Sequence, residues 1–150
     1  MRDVRLLTAP FRSAALVEPF ARANPGLGAL CTFVGEVRAQ GGVEALELTH
    51  YPAMTLPAME ALAALAVERF ALMGLLVIHR VGVMVPGEPI VCVSAAACHR
   101  RAAIEAVDFT MDHLKSASWL WKREKRPDGW HWIEPRKEDH RDLQRWQLAQ

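Results

Sequence analysis

Cysteine is sparse in this sequence, and what there is stands apart. Cys31, Cys92 and Cys98 are the three in 150 residues. An odd number with no C-x-x-C spacing excludes a disulfide framework and a cysteine zinc site. All three lie in apolar runs, which reads as small buried side chains in a reducing compartment rather than a reactive thiol. His99 follows Cys98, but neighbours along a strand point to opposite faces, so it is badly placed as a base. An excess of charge of one sign is also missing. The formal net charge is +1 and the sequence pI is near 7.8. That is too balanced for a protein that coats nucleic acid, so any anion binding must be local. Long apolar runs are absent as well. The most apolar stretch, "FALMGLLVI", is far too short to span a bilayer. The start, "MRDVRLL", lacks the apolar core and small-residue cleavage site of a secretory signal. The cytoplasm is therefore the expected compartment. Neither a metal-ligand spacing nor a G-x-G-x-x-G, a P-loop or a G-x-S-x-G occurs.

What is present suits one globular domain with a proper core: 51% hydrophobic and 23% charged residues in 150. "VRLLT" reads as a first short strand. "SAALVEPFARA" reads as a helix with Ser13 as its N-cap, stopped by "NPG". "ALCTFVGEV" and "VEALELTHY" read as strands joined by the glycine-containing "RAQGG". "TLPAMEALAALAVERFAL" is the strongest helix, with Pro57 early enough to be tolerated. "LLVIHRVG" and "PIVCVSAAAC" read as strands either side of the turn "VPGEP". "RRAAIEAVDFTMDHLKS" carries Ile104, Val107, Met111 and Leu114 at helical spacing. "WLWKREKR" and "WHWIE" flank "PDG" and read as a hairpin. This order gives an α/β or α+β single domain. The tail "KEDHRDLQRWQLAQ" reads as either a short helix or a frayed end.

Charged residues stand out in two places. At "ACHRRA" a strand gives way to a helix, leaving free N–H groups at a positive dipole end, a ready anion site. Cations there are locally unfavourable, a conflict expected at functional positions. Either His99, Arg100 and Arg101 clamp a phosphate or carboxylate, or they are a capping histidine and two solvated arginines; spacing alone leaves both open. The second place is "DHLKSASWLWKREKR", with Lys115 and Lys122 seven residues apart. Lys115 in a last helical turn suits the dipole and can pair with Asp112. Lys122 lies on the strand face opposite Trp121 and Arg123. With a turn centred near Asp128 and Gly129, it faces Pro135 and Arg136, and two cations meeting there need something anionic between them. Arg38 opens the glycine loop and reads equally as a surface arginine. Trp119, Trp121, Trp130 and Trp132 read as packing residues, not as a base-stacking platform. His79 and Arg80 read as structural or as part of an interface.

"TFVGEVR", "HYPAM", "VIHRVGVMVPGE", "HRRAAIEAVDFTMDHLKSASWLWKRE" and "WIEPR" occur in this order. Together they resemble the large, catalytic subunit of molybdopterin synthase, from about Gly28 to Arg136. The resemblance implies an α/β hammerhead with an added α+β portion, a catalytic domain over 1–136 and a C-terminal tail over 137–150. It implies a sulfurtransferase of molybdenum cofactor biosynthesis with no resident cofactor or metal. Its substrate would be cyclic pyranopterin monophosphate. Its sulfur would come from the C-terminal thiocarboxylate of a small ubiquitin-like carrier subunit. Two large subunits would form a homodimer within a heterotetramer, with no role for nucleic acid or membrane. On this resemblance Lys115 and Lys122 are the catalytic lysines. His99 and Arg100 belong to the pterin-phosphate pocket, Arg38 and Arg136 are further substrate-binding arginines, and Phe33 and Met111 line the pocket. The pocket is shared across the dimer in that family.

Two features depart from the family pattern. "RAQGGVEAL" is shorter than the corresponding loop of many relatives and lacks their asparagine-rich patch. Trp119 stands where relatives usually carry proline. Two other function classes compete: a non-catalytic module that keeps the carrier groove, and an unrelated phosphate-ester hydrolase using "HRR" as an anion clamp. The presence of both lysines disfavours the first, and the lack of a visible nucleophile or metal site disfavours the second.

Overall fold

The computed structural model describes residues 1–148. Its elements are β1 (Arg2–Leu7), α1 (Ser13–Arg22), β2 (Ala29–Glu36), β3 (Ala45–His50), α2 (Thr55–Arg69), β4 (Gly74–Arg80), β5 (Gly82–Met84), β6 (Pro89–Ala97), α3 (Arg100–Lys115), β7 (Leu120–Arg126), β8 (Gly129–Ile133) and α4 (Lys137–Leu148), with a 3-10 turn at Gln40–Gly42. They form a mixed α/β arrangement with two four-stranded sheets. The first runs β1-β4-β6-β2 and the second β5-β3-β7-β8. In the first, β1 and β4 are parallel and the other pairs antiparallel. The second is antiparallel throughout.

Strand alternation splits the first sheet into two buried faces. Leu75, Val77, Val91, Val93 and Ala95 face α2 and α3 and join Met59, Ala63, Ala106 and Phe109 in the main core. Leu76, Ile78, Cys92 and Ala96 face the other way, against Phe20, Leu16 and Val17 of α1. Covered on both sides, β4 is buried along its whole length. The second sheet packs Leu46, Leu48 and Met84 inward with Val37. Among the described residues no layer covers its other face, where Trp121, Trp130 and Trp132 are exposed.

Several expectations are corrected. Ser13 is the first residue of α1; the N-cap is Arg12, with no side-chain cap. β5 was not foreseen. It begins at Gly82, whose φ of +92° lets the chain leave the first sheet and pair with β3 in the second. Ile104 is 49% exposed, because the buried stripe of α3 runs through Ala103, Val107, Thr110 and Leu114, one residue out of phase with it. Only Cys92 is fully buried, where desolvation pushes its thiol up to about 11; Cys98 is exposed. Trp119 packs against the main core, but Trp121, Trp130 and Trp132 lie on the uncovered face of the second sheet. There the Arg123 guanidinium lies 4.4 Å from the Trp130 ring centroid and pairs with Glu47.

Trp119 also joins the helix–hairpin link to α2. The Thr55 hydroxyl at the start of α2 donates to its carbonyl at 2.6 Å. Over Lys137–Leu148 the tail resolves as a helix docked on α3; Ala149 and Gln150 lie outside the described residues. Trp146 meets Phe70 and Phe109 edge to face, with centroids 6.0 and 5.3 Å away. Arg145 pairs with Asp108 and Asp112. Phe109, 1% exposed, is the hub of this packing. Phe109→Ala is expected to cost about 3–5 kcal/mol in chemical denaturation; a loss under about 1 kcal/mol would show that α4 docks without it.

Candidate functional site

Where the C-terminal end of α3 reaches the seam between the sheets, two open cavities adjoin. The first is mainly apolar: Phe33, Leu48, Val91, Met111, Leu114 and Ile133 line it together with His79, Lys115 and Lys122. The second is polar, with Arg38, Gln40, Glu36, Glu124 and Arg126 in its walls. Lys115 and Lys122 line both cavities. They are the cationic residues shared by an apolar channel and a basic basin.

Local chain geometry places each lysine. α3 is amphipathic, and the buried stripe that ends at Met111 and Leu114 brings Lys115, its last residue, to the seam. Asp112, the expected partner, is not available. Its carboxylate accepts from Trp146 Nε1 at 2.6 Å and from Arg145 Nη2 at 2.7 Å, both on α4. Among the described residues Lys115 has no ion pair. Lys122 sits in mid-strand, opposite Leu48 of β3 and Ile133 of β8.

That register corrects the expected hairpin. Pro127 and Asp128 form the turn, closed by Arg126 and Gly129. Proline sets φ at the first central position and Gly129, at φ +123°, follows the turn. Lys122 therefore faces Ile133, not Pro135 or Arg136. Arg136 lies beyond the strand end and lines neither cavity, yet its charge still acts on Lys122. The anion that two such cations require is Asp139. It is buried and accepts from the Arg136 backbone N–H at 3.0 Å and from its guanidinium at 3.3 Å. Its charge is felt by Lys122.

Burial, then the neighbouring charge of Lys115, hold the Lys122 ammonium below the ordinary lysine range. A lysine so poised can give up and recover a proton more readily than a surface lysine.

The structure thus brings together Lys115, Lys122, Phe33, Met111 and Arg38. It does not bring His99 and Arg100 to them. Those two stand at the opposite end of α3, His99 as its N-cap and Arg100 as its first residue, which at helical rise puts them about 22–24 Å from Lys115. Their junction is itself rigid. A Cβ on Gly28 would lie 2.0 Å from the Cys98 carbonyl oxygen, so only glycine fits where β2 starts against the end of β6.

His79 is the site residue that sequence reasoning missed. It lines the apolar cavity, 6% exposed. The available signal was phase: Leu75, Val77 and His79 share one face of a fully buried strand, so a histidine there replaces an aliphatic core residue. Burial pushes its pKa down to about 4.

A two-sheet α/β scaffold with two lysines between an apolar and a basic cavity makes a site suited to anionic reactants. Known proteins narrow the reading. The MoaE protein family matches residues 6–117. A molybdopterin synthase catalytic subunit from Caulobacter vibrioides is 49% identical over 144 residues, covering 95% of this chain and 96% of that one. The solved structure of a molybdopterin biosynthesis MoaE protein from Burkholderia ambifaria superposes with a TM-score of 0.84 at 41% identity, covering 98% and 99% of the two chains. A protein-protein complex of subunits 1 and 2 of molybdopterin-converting factor from Helicobacter pylori shares the fold, with a TM-score of 0.76 at 18% identity over 89% and 91%. The chain belongs to the MoaE protein family.

Side-chain NMR titration is expected to show Lys122 losing its proton below the ordinary lysine value of 10.5. Lys115→Ala removes a positive neighbour and so should raise the Lys122 midpoint part of the way back, burial being the larger cause. An unchanged midpoint would mean that the two ammonium groups do not interact.

Proposed function

We propose that this chain works as the catalytic subunit of molybdopterin synthase. It moves sulfur from the C-terminal thiocarboxylate of a small ubiquitin-like carrier to cyclic pyranopterin monophosphate, building the dithiolene of molybdopterin. The observation that carries this reading is the position of Lys115 and Lys122, where the apolar cavity meets the basic one. An extended peptide tail ending in a thiocarboxylate suits the apolar channel past Phe33 and Met111. A phosphorylated pterin suits the basin beside Arg38. Both reactive ends then meet at the lysines.

The chemistry uses what the side chains offer. Ammonium groups stabilise the thiocarboxylate and the oxyanions that develop as sulfur is transferred. Ring opening and water loss need a group that shuttles protons, and the lowered pKa of Lys122 suits that task. Arg136, tied to Asp139, lines neither cavity but adds positive charge that acts on Lys122. No bound cofactor is needed for these steps.

His99 and Arg100 fit the same reading through a second copy. Since α3 holds them about a helix length from Lys115, they serve a partner's cavity in a homodimer, with a carrier subunit on each protomer. The assembly acts in the cytoplasm; no helix among the described residues is long and apolar enough to cross a membrane.

The test is one reaction: purified protein, carrier in thiocarboxylate form and cyclic pyranopterin monophosphate, assayed for dithiolene. Wild type is expected to form product, and Lys115→Ala to lose at least about a hundredfold in turnover with its fold intact. Carrier binding without product from wild type would favour a non-catalytic module, and no carrier binding would overturn both readings. Arg100→Ala is expected to weaken substrate binding about tenfold or more while leaving carrier binding unchanged. Equal losses in both would remove the anion-clamp role.

A further inference from the structure

The reaction above leaves one buried titratable group of the cavity without a task. His79 stands where the β4 face that begins with Leu75 and Val77 passes from closed core into open cavity, opposite Val91. Packing alone would be served by an aliphatic side chain there.

The tautomer follows from its one hydrogen bond. His79 Nδ1 lies 2.9 Å from the Arg80 carbonyl oxygen. A carbonyl only accepts, so Nδ1 carries the hydrogen and donates. In the neutral ring Nε2 is then a bare lone pair. Among the described residues nothing hydrogen-bonds to it.

The ring stays neutral because the site penalises its charge. Desolvation is the largest cause, and the charges of Lys115 and then Lys122 push the same way, against the opposing backbone bond to Arg80. With a pKa of about 4, roughly one ring in a thousand is protonated at pH 7. That makes His79 a poor proton carrier and a good acceptor.

The matching donor is Lys115. It lines the same cavity and acts on His79 more strongly than Lys122 does. Its helical neighbour Asp112 is held by α4. Asp139 also senses Lys115, but Arg136 engages both its oxygens. An ammonium without an ion pair and a lone pair without a donor therefore share one cavity.

We propose that His79 is a positioning residue for sulfur transfer: in the loaded cavity its Nε2 accepts a hydrogen bond from the Lys115 ammonium and aims it at the reacting carbonyl. This rests on the reading of Lys115 as catalytic. A freely rotating lysine spends little time in one direction; one fixed acceptor on a rigid strand selects the productive one.

Two substitutions separate the ends of the ring. Asn places its amide N–H where Nδ1 is and has nothing at Nε2. Gln places its amide where Nε2 is, so its oxygen accepts a hydrogen bond without taking a proton. His79→Asn is expected to keep its melting temperature and carrier affinity and to lose at least about tenfold in kcat, with KM little changed. His79→Gln is expected to recover most of that loss. His79→Asn within about twofold of wild type overturns the proposal, as do equal losses in both variants. An inactive wild type would instead refute the sulfur-transfer reading. A measurement independent of turnover and of either variant's folding covers that case. In the carrier-bound complex, Lys115→Met should move the imidazole 15N resonance of His79 Nε2 while leaving Nδ1 in place. An unmoved Nε2 resonance overturns the hydrogen bond.

Discussion

Two ammonium groups at one seam, with little water around one of them, are the constraint around which the rest of this molecule is arranged. Bringing Lys115 and Lys122 together costs free energy by mutual repulsion and by burial. Carboxylates act on the pair without neutralising it. Asp139 and Glu124 favour the charge on Lys122, yet Asp139 spends its hydrogen bonds on Arg136 and Glu124 pairs with Arg126. Asp112, one turn from Lys115, is drawn to Arg145 and Trp146. With Lys115, Lys122, Arg38 and Arg126 set against Glu36 and Glu124 in the cavity walls, the site is short of negative charge. An arriving thiocarboxylate or phosphate relieves that shortage, and charge that grows during the reaction relieves it further, which is the condition for catalysis rather than mere binding.

α4 belongs to the site although none of its described residues lines either cavity. Its aromatic anchor, Trp146, closes the core over Phe109 and Phe70. The same helix removes Asp112 from Lys115 at one end and, through Asp139, secures Arg136 at the other. Folding and charge placement are coupled through one helix. A sequence divided at residue 136 would separate the cavity from the element that sets its electrostatics.

Much of the scaffold was legible in the chain, for identifiable reasons. The stretch Arg100–Lys115 repeats apolar residues at helical spacing, and the P-D-G turn carries its own geometry, so α3 and the β7–β8 hairpin could be read directly. Register could not: the choice between a turn at Pro127–Asp128 and one at Asp128–Gly129 shifts the partner of Lys122, and only cross-strand pairing decides it. The tryptophans misled because alternation reveals a face but not whether a layer covers it. His79 was missed because its neighbours in "LLVIHRV" differ little in hydropathy, and the histidine reads as an interruption of a core strand. Lys115, Lys122, Arg38, Phe33 and Met111 meet around the two adjoining cavities. His99 and Arg100 do not, since a straight helix of 16 residues keeps its ends apart.

The shortened loop after Arg38 raised the question of whether that arginine is still held over the basin. Its placement does not depend on loop length. Val37, just before it, exchanges backbone hydrogen bonds with the turn that follows β5: Val37 N–H donates to Glu88 at 3.0 Å and Gly87 N–H to Val37 at 2.9 Å. Glu88 is in turn held by Arg80, buried at the end of β4, at 2.7 Å. On the far side the loop folds into a 3-10 turn, and Glu44 N–H rejoins β7 at Lys125. Gln40 and Gly41 still wall the polar cavity. Arg38 thus leaves a braced strand end rather than a free loop. The brace is built on the residue whose carbonyl fixes the His79 tautomer, so Arg80 ties the basic basin and the apolar channel to one point of the core.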